Sequence, residues 1–140
     1  MGTYPFTKRR FARALAAEVV YRHRLLGEPP KEALAEILRR EELSDEEKDL
    51  LSRIIKAYVS QGKDIERLVE KKSEHWRPER MLFVDRAIIE AAVAELLLKE
   101  TSFKVIITEA LEIAKALSTE RSVAFINGLL DGIAKELMQT

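Results

Sequence analysis

Three arginines, Arg9, Arg10 and Arg13, are the residues of this chain best placed to do chemistry. Their spacing of i, i+1 and i+4 puts them within roughly 100° of one another on a helix that turns about 100° per residue. Arg24 returns to the same side two to three turns further on, while Phe11, Ala12, Leu15 and Val19 occupy the other side. One helix therefore combines a core stripe with a guanidinium stripe. Guanidinium forks chelate phosphate and stack on exposed bases, and Tyr21 on the flank is a further stacking candidate. Basic residues at a helix N-terminus also oppose the macrodipole, a cost that an external anion offsets. The other reading is a solvated arginine face with Tyr21 packed inside.

Other chemistry finds little support. The two histidines, His23 and His75, are far apart and lack a metal-ligand spacing, so His23 reads as a partly buried helix residue and His75 as a loop residue. Gly2, Gly27, Gly62, Gly128 and Gly132 are scattered and form no phosphate-cradling loop. With no cysteine, thiolate metal sites, disulfides and a Cys nucleophile are excluded, and a reducing cytoplasm is the expected compartment. The expectation is a protein with no catalytic residues, metal or cofactor.

The net charge is zero, but its distribution is uneven. Lys8, Arg9, Arg10, Arg13, Arg22 and Arg24 face only Glu18 between positions 8 and 24, and an acidic stretch over 28–49 balances them. A basic patch can hide inside such a cancelling sum. The acidic stretch reads as solvated helix faces. No apolar run is long enough to span a membrane, and the N-terminus lacks a signal-peptide core.

The elements that must position these residues are helical. Five glycines and four prolines in 140 residues, with abundant Ala, Leu, Glu, Lys and Arg, predict an all-α single domain over 1–140. The first helix spans about 7–26 and stops at Gly27 and Pro29-Pro30; an acidic helix follows over about 31–42. Ser44-Asp45-Glu46-Glu47 is a capping box opening a helix with Leu50/Leu51, Ile54/Ile55 and Tyr58/Val59. Gly62 precedes a short helix with Ile65, Leu68 and Val69. Pro78 suits the first turn of a helix over about 78–99 that is apolar almost all round (Leu82, Val84, Ile88, Ile89, Val93, Leu96, Leu97), the buried spine of the fold. Within it Glu90 needs a basic partner or solvent. Helices over 104–117 and 119–138 complete a compact bundle of about seven. In the last, Phe125/Ile126, Leu129/Leu130 and Ile133/Ala134 keep a helical period straight through Asn127-Gly128, although Asn-Gly is ordinarily a turn signal and a mid-helix glycine costs about 1 kcal/mol.

Several of these segments, in this order, resemble the NusB family of bacterial transcription antitermination factors. They are Arg9-Arg10-Phe11-Ala12-Arg13 with Tyr21, Trp76-Arg77-Pro78-Glu79-Arg80, Val84-Asp85-Arg86-Ala87-Ile88-Ile89, Glu95-Leu96-Leu97, the run from Thr108 to Lys115, and Phe125-Ile126-Asn127-Gly128-Leu129-Leu130-Asp131. The resemblance implies a non-enzymatic factor that binds a short single-stranded RNA, the boxA element of ribosomal RNA leaders, together with the ribosomal protein NusE. It would load onto elongating RNA polymerase with other Nus factors, as a monomer or homodimer. Carried over by position, it implies RNA contact by Arg9, Arg10, Arg13, Tyr21, Arg24 and Asn127, and NusE contact by Glu79, Arg80 and Asp85. Trp76 would be a lid over the core or an interface anchor. Phe11, Glu90, Ala94 and Ala124 depart from the family pattern, which commonly has basic residues at the first, second and fourth and tyrosine at the third. Two rivals follow: a self-associating helical interaction module with weak or no RNA binding, and the RNA-binding region of a ribosomal RNA methyltransferase, for which no cofactor-binding βαβ signal is present.

Overall fold

A computed structural model describes residues 4–73 and 81–139 of the chain. Among these residues it has seven helices and no strand. They are α1 (Lys8–Leu26), α2 (Pro30–Arg40), α3 (Asp45–Ser60), α4 (Gly62–Ser73), α5 (Phe83–Leu98), α6 (Phe103–Leu117) and α7 (Glu120–Met138). The buried apolar side chains form one continuous core.

Local chemistry sets the boundaries. At the end of α1, Gly27 adopts a left-handed φ of 72° and donates its N–H to the His23 carbonyl, closing the helix as a glycine readily can. Ser44 caps α3 by accepting from the Glu47 N–H, while the Glu47 carboxylate accepts from the Ser44 N–H, the reciprocal pair expected. Ser102 caps α6 through the Val105 N–H, and Thr119 caps α7 through the Ser122 N–H. α7 runs unbroken through Asn127 and Gly128, so the apolar period prevails over the turn signal.

Four expectations are corrected. The central helix begins at Phe83, not near position 78, because Leu82 has an extended backbone and serves as the N-cap. Leu82 is consequently 48% and Phe83 50% exposed, so the first turn is not part of the buried spine. Pro78 and His75 lie outside the described residues.

Secondly, α5 is not the only spine. Every residue of α1 from Ala12 to Val20 is buried, Arg13 and Glu18 included. α1 packs on α5 and α3 and is flanked by α2 and α6, so no broad face is left to solvent. The small side chains of Ala14, Ala16 and Ala17 let neighbouring backbones approach the face where a polar stripe was expected. Thirdly, the acidic stretch is not simply solvated: Glu28 and Glu36 accept hydrogen bonds from Arg22 of α1, and Glu36 and Glu41 accept from Arg40. His23, expected partly buried, is exposed and meets Tyr58 edge-on with ring centroids 6.1 Å apart.

Candidate nucleic-acid interface

The arginines of α1 lie on a gradient of depth. Arg9 is 59% exposed and pairs with Glu46 in the first turn of α3. Arg10, 39% exposed, donates Nε and Nη2 to the two carboxylate oxygens of Glu109 on α6, at 3.2 and 2.8 Å. Arg13 is 9% exposed and donates Nε and Nη2 to Glu95 of α5, both at 2.8 Å. Its Nη1 stands 3.7 Å from Glu109. Arg9 and Arg10 can therefore meet a ligand at the surface, whereas Arg13 ties α1 to α5 and backs Glu109 from beneath. The expected three-arginine surface stripe is corrected to two arginines and an internal tie. The cause is Glu95, which needs a cation at a buried helix crossing and takes Arg13.

These contacts move the titrations as the geometry requires. The hydrogen bond from Arg10 holds the Glu109 carboxyl below its ordinary range, against a weaker opposing effect of burial. Burial acts against the charged form of Arg13, but its bond to Glu95 and the two nearby carboxylates more than offset that.

Arg9 and Arg10 line an open depression of about 800 Å³ between the start of α1 and the start of α3. Phe6, Thr7, Lys8 and Ser44 border it, with Glu46, Glu47 and Glu109 as its acids. Lys8 is exposed and has no ion pair among the described residues, which makes it the least compensated cation of this rim. Lys8 was counted in the basic run but not singled out. Glu46, Glu95 and Glu109 were also missed as site residues, since each comes from a distant segment. The available signal was Glu95, which like Glu90 is a carboxylate set in a largely apolar helix.

The remaining expected residues are dispersed. Arg24 lies roughly 20 Å along α1 from Arg10, at about 1.5 Å per residue. Its Nε and Nη2 bind Glu90 at 3.1 and 2.5 Å, and Arg86 binds the same carboxylate. Glu90 thus has the basic partner it needed, and Arg24 is spent on it. Burial, and then the Glu90 charge, push the adjacent Tyr58 phenol up to about 12. Tyr21 is half-buried against the core, in the packed orientation left open above. Asn127 is exposed on α7, a helix packed on α4, α5 and α6. Asp85, expected on a partner surface, is 3% exposed and accepts from Ser118 Oγ at 2.6 Å and Ser122 Oγ at 2.5 Å. It fastens the first turn of α5 to the α6–α7 junction, so its expected exposure is corrected. Glu79, Arg80 and Trp76 lie outside the described residues.

Fold and surface together define an all-helical protein, among the described residues, that presents Lys8, Arg9 and Arg10 at one end of its first helix. The chain belongs to the NusB family, whose model matches residues 10–135. This is a family of non-enzymatic RNA-binding transcription factors. The transcription antitermination protein NusB of Koribacter versatilis is 41% identical over 99 residues, covering 70% of this chain and 68% of its own length. That of Anaeromyxobacter dehalogenans is 33% identical over 132 residues, covering 94% and 93%. Among solved structures, T. maritima NusB superposes with a TM-score of 0.80 at 34% identity, covering 93% of this chain and 92% of that one. The antitermination factors NusB and NusE in complex with dsRNA include a chain that matches with a TM-score of 0.80 at 27% identity, covering 91% and 96%.

Proposed function

We propose that this chain binds single-stranded boxA-type RNA of ribosomal RNA leaders jointly with NusE. It then joins the elongating RNA polymerase complex and promotes processive transcription of ribosomal RNA operons from the cytoplasm. The observation that carries the reading is the start of α1, where Lys8, Arg9 and Arg10 are presented on a rim whose deeper partner Arg13 is locked in place. Cations there supply affinity by displacing counterions from phosphate, and oriented guanidinium planes supply base stacking and edge contacts. In this reading Arg9 and Arg10 meet the RNA and Arg13 supports them. In the same reading Tyr21, packed against the core, and Arg24, paired with Glu90, contribute from further along α1, and Asn127 of α7 contributes a second contact. NusE would engage the surface around Glu79 and Arg80, with Asp85 holding the adjoining helix start. The solved complex of NusB, NusE and dsRNA supports both partners.

A second reading rests on the acid partners of these arginines. With Glu46, Glu95 and Glu109 already on Arg9, Arg10 and Arg13, the surface is nearly balanced, as suits a self-associating interaction module with weak RNA binding. Fluorescence anisotropy of labelled boxA RNA against a scrambled sequence, with and without NusE, separates the two. Preference for boxA that NusE strengthens supports the first. Weak, equal binding, with a dimer in gel filtration that RNA does not disturb, supports the second.

A further inference from the structure

We propose that Glu109 is a specificity-determining residue of the α1 surface, a carboxylate clamp that withholds the Arg10 fork from phosphate in general while fixing the plane in which Arg10 meets a preferred RNA. The inference rests on the RNA-binding reading above and adds a residue to it.

The geometry is that of a clamp. Glu109 uses both oxygens on Arg10 and takes its Nε and Nη2, the edge a phosphate would chelate. Among the described contacts of Arg10, Nη1 is left uncommitted, as is the flat face of the guanidinium. Glu109 itself cannot drift, since its side chain is only 18% exposed and it stands 3.7 Å from Arg13 Nη1. Arg13 is in turn held by Glu95, a side chain 3% exposed. Arg10 is thus tied through Glu109 and Arg13 to the buried helix α5. The neighbouring pair of Arg9 with Glu46 has no such backing, with side chains 59% and 63% exposed. One pair lowers the local charge loosely, and the other also sets an orientation.

A fork already occupied by carboxylate offers phosphate a single edge, so indiscriminate backbone binding is weakened. A guanidinium held in one plane still stacks on a base and donates from Nη1, interactions that depend on which base is presented and how. Glu109 in this way exchanges general affinity for discrimination.

The test compares the wild type with Glu109→Gln, Glu109→Asp and Glu46→Gln, titrating boxA and scrambled RNA at several salt concentrations after a thermal melt has established folding. Glu109→Gln frees the fork and removes one negative charge. Binding to scrambled RNA should tighten, its salt slope should steepen by about 0.7, and boxA discrimination should fall roughly two- to tenfold, the worth of one ordered side chain. Glu109→Asp keeps the charge but shortens the reach, so discrimination should fall with the slope unchanged. Glu46→Gln should tighten both RNAs equally and preserve their ratio. In parallel, the Arg10 Nε–H resonance should be slow to exchange in the wild type and lose that protection in both Glu109 variants. A discrimination ratio that survives in the Glu109 variants, or that falls equally in Glu46→Gln, overturns the clamp. A wild type with no RNA preference overturns the underlying reading and the clamp with it, a result distinct from a wild-type preference that the Glu109 variants retain.

Discussion

The two ends of α1 use the same chemical pair at different depths. At the N-terminal end, Arg9 and Arg10 hold carboxylates while remaining 59% and 39% exposed. At the C-terminal half, the carboxylates are inside: Glu18 and Glu90 each have 1% of their side chains exposed. Glu18 collects Arg22, Arg40 and the Tyr4 hydroxyl, and Glu90 collects Arg24 and Arg86. A buried carboxylate must keep every cation it has, because losing one leaves charge in a poor solvent. An exposed one, such as Glu46, can release its cation to a competing anion at little cost, since water replaces what is lost. Depth therefore decides which arginines are scaffold and which are exchangeable. Arg13, between the two ends, belongs to the scaffold by that criterion.

The largest effect should come from breaking the deepest tie. Glu95→Ala strands the Arg13 guanidinium at the α1–α5 crossing and should destabilise the fold by about 3 kcal/mol or more, read from urea denaturation. Asp85→Ala removes the acceptor for the buried Ser122 hydroxyl and the partly buried Ser118 hydroxyl and should cost about 2 kcal/mol in the same assay. Its effect on NusE binding should then follow stability, and a loss of NusE affinity in a variant of unchanged stability would contradict the buried placement of Asp85.

Acid should weaken the ties at both ends. Burial alone would raise the Glu18 carboxyl, but hydrogen bonds from Arg40, Tyr4 and Arg22 outweigh it and leave it below its ordinary value of 4.5. Glu109 is likewise lowered from 4.5, chiefly by Arg10. Carboxyls with depressed values contribute stability that is present above about 4.5 and lost as the pH falls through their lowered values. Melting temperature should accordingly fall through the acid carboxylate range, and Glu18→Gln and Glu109→Gln should each flatten the fall. The smallest effect on stability belongs to Arg9→Ala, below about 1 kcal/mol, because its pair is exposed. The same variant should still reduce the salt slope of RNA binding by about 0.7, one phosphate contact on a single strand.

How far these roles could be read from the sequence depended on range. Features settled within one turn of chain were legible: the Ser44–Glu47 capping box, the stop at Gly27 and the helical period through Asn127-Gly128. The family segments likewise placed the arginines at the start of α1. What the helical wheel could not give was the partner across a crossing. It grouped Arg13 with Arg9 and Arg10 by angle, while Glu95, 82 positions away, drew Arg13 inside. It showed that Glu90 needed a cation, but Arg24 lies 66 positions distant and was read as a surface residue. Ala14, Ala16 and Ala17 were the overlooked sign, since small residues on a supposedly polar face mark a second packing surface.

The most direct test of the central claim is anisotropy of labelled boxA RNA with the wild type and an Arg9→Ala/Arg10→Ala double variant, with and without NusE. Neither side chain is buried, so the variant should fold normally. The account predicts boxA preference in the wild type, an affinity gain from NusE, and in the variant at least tenfold weaker boxA binding with a salt slope smaller by about 0.7, the single phosphate contact of Arg9, the Arg10 loss falling on boxA preference. Undiminished binding by the folded variant would contradict it and move the RNA site away from the start of α1.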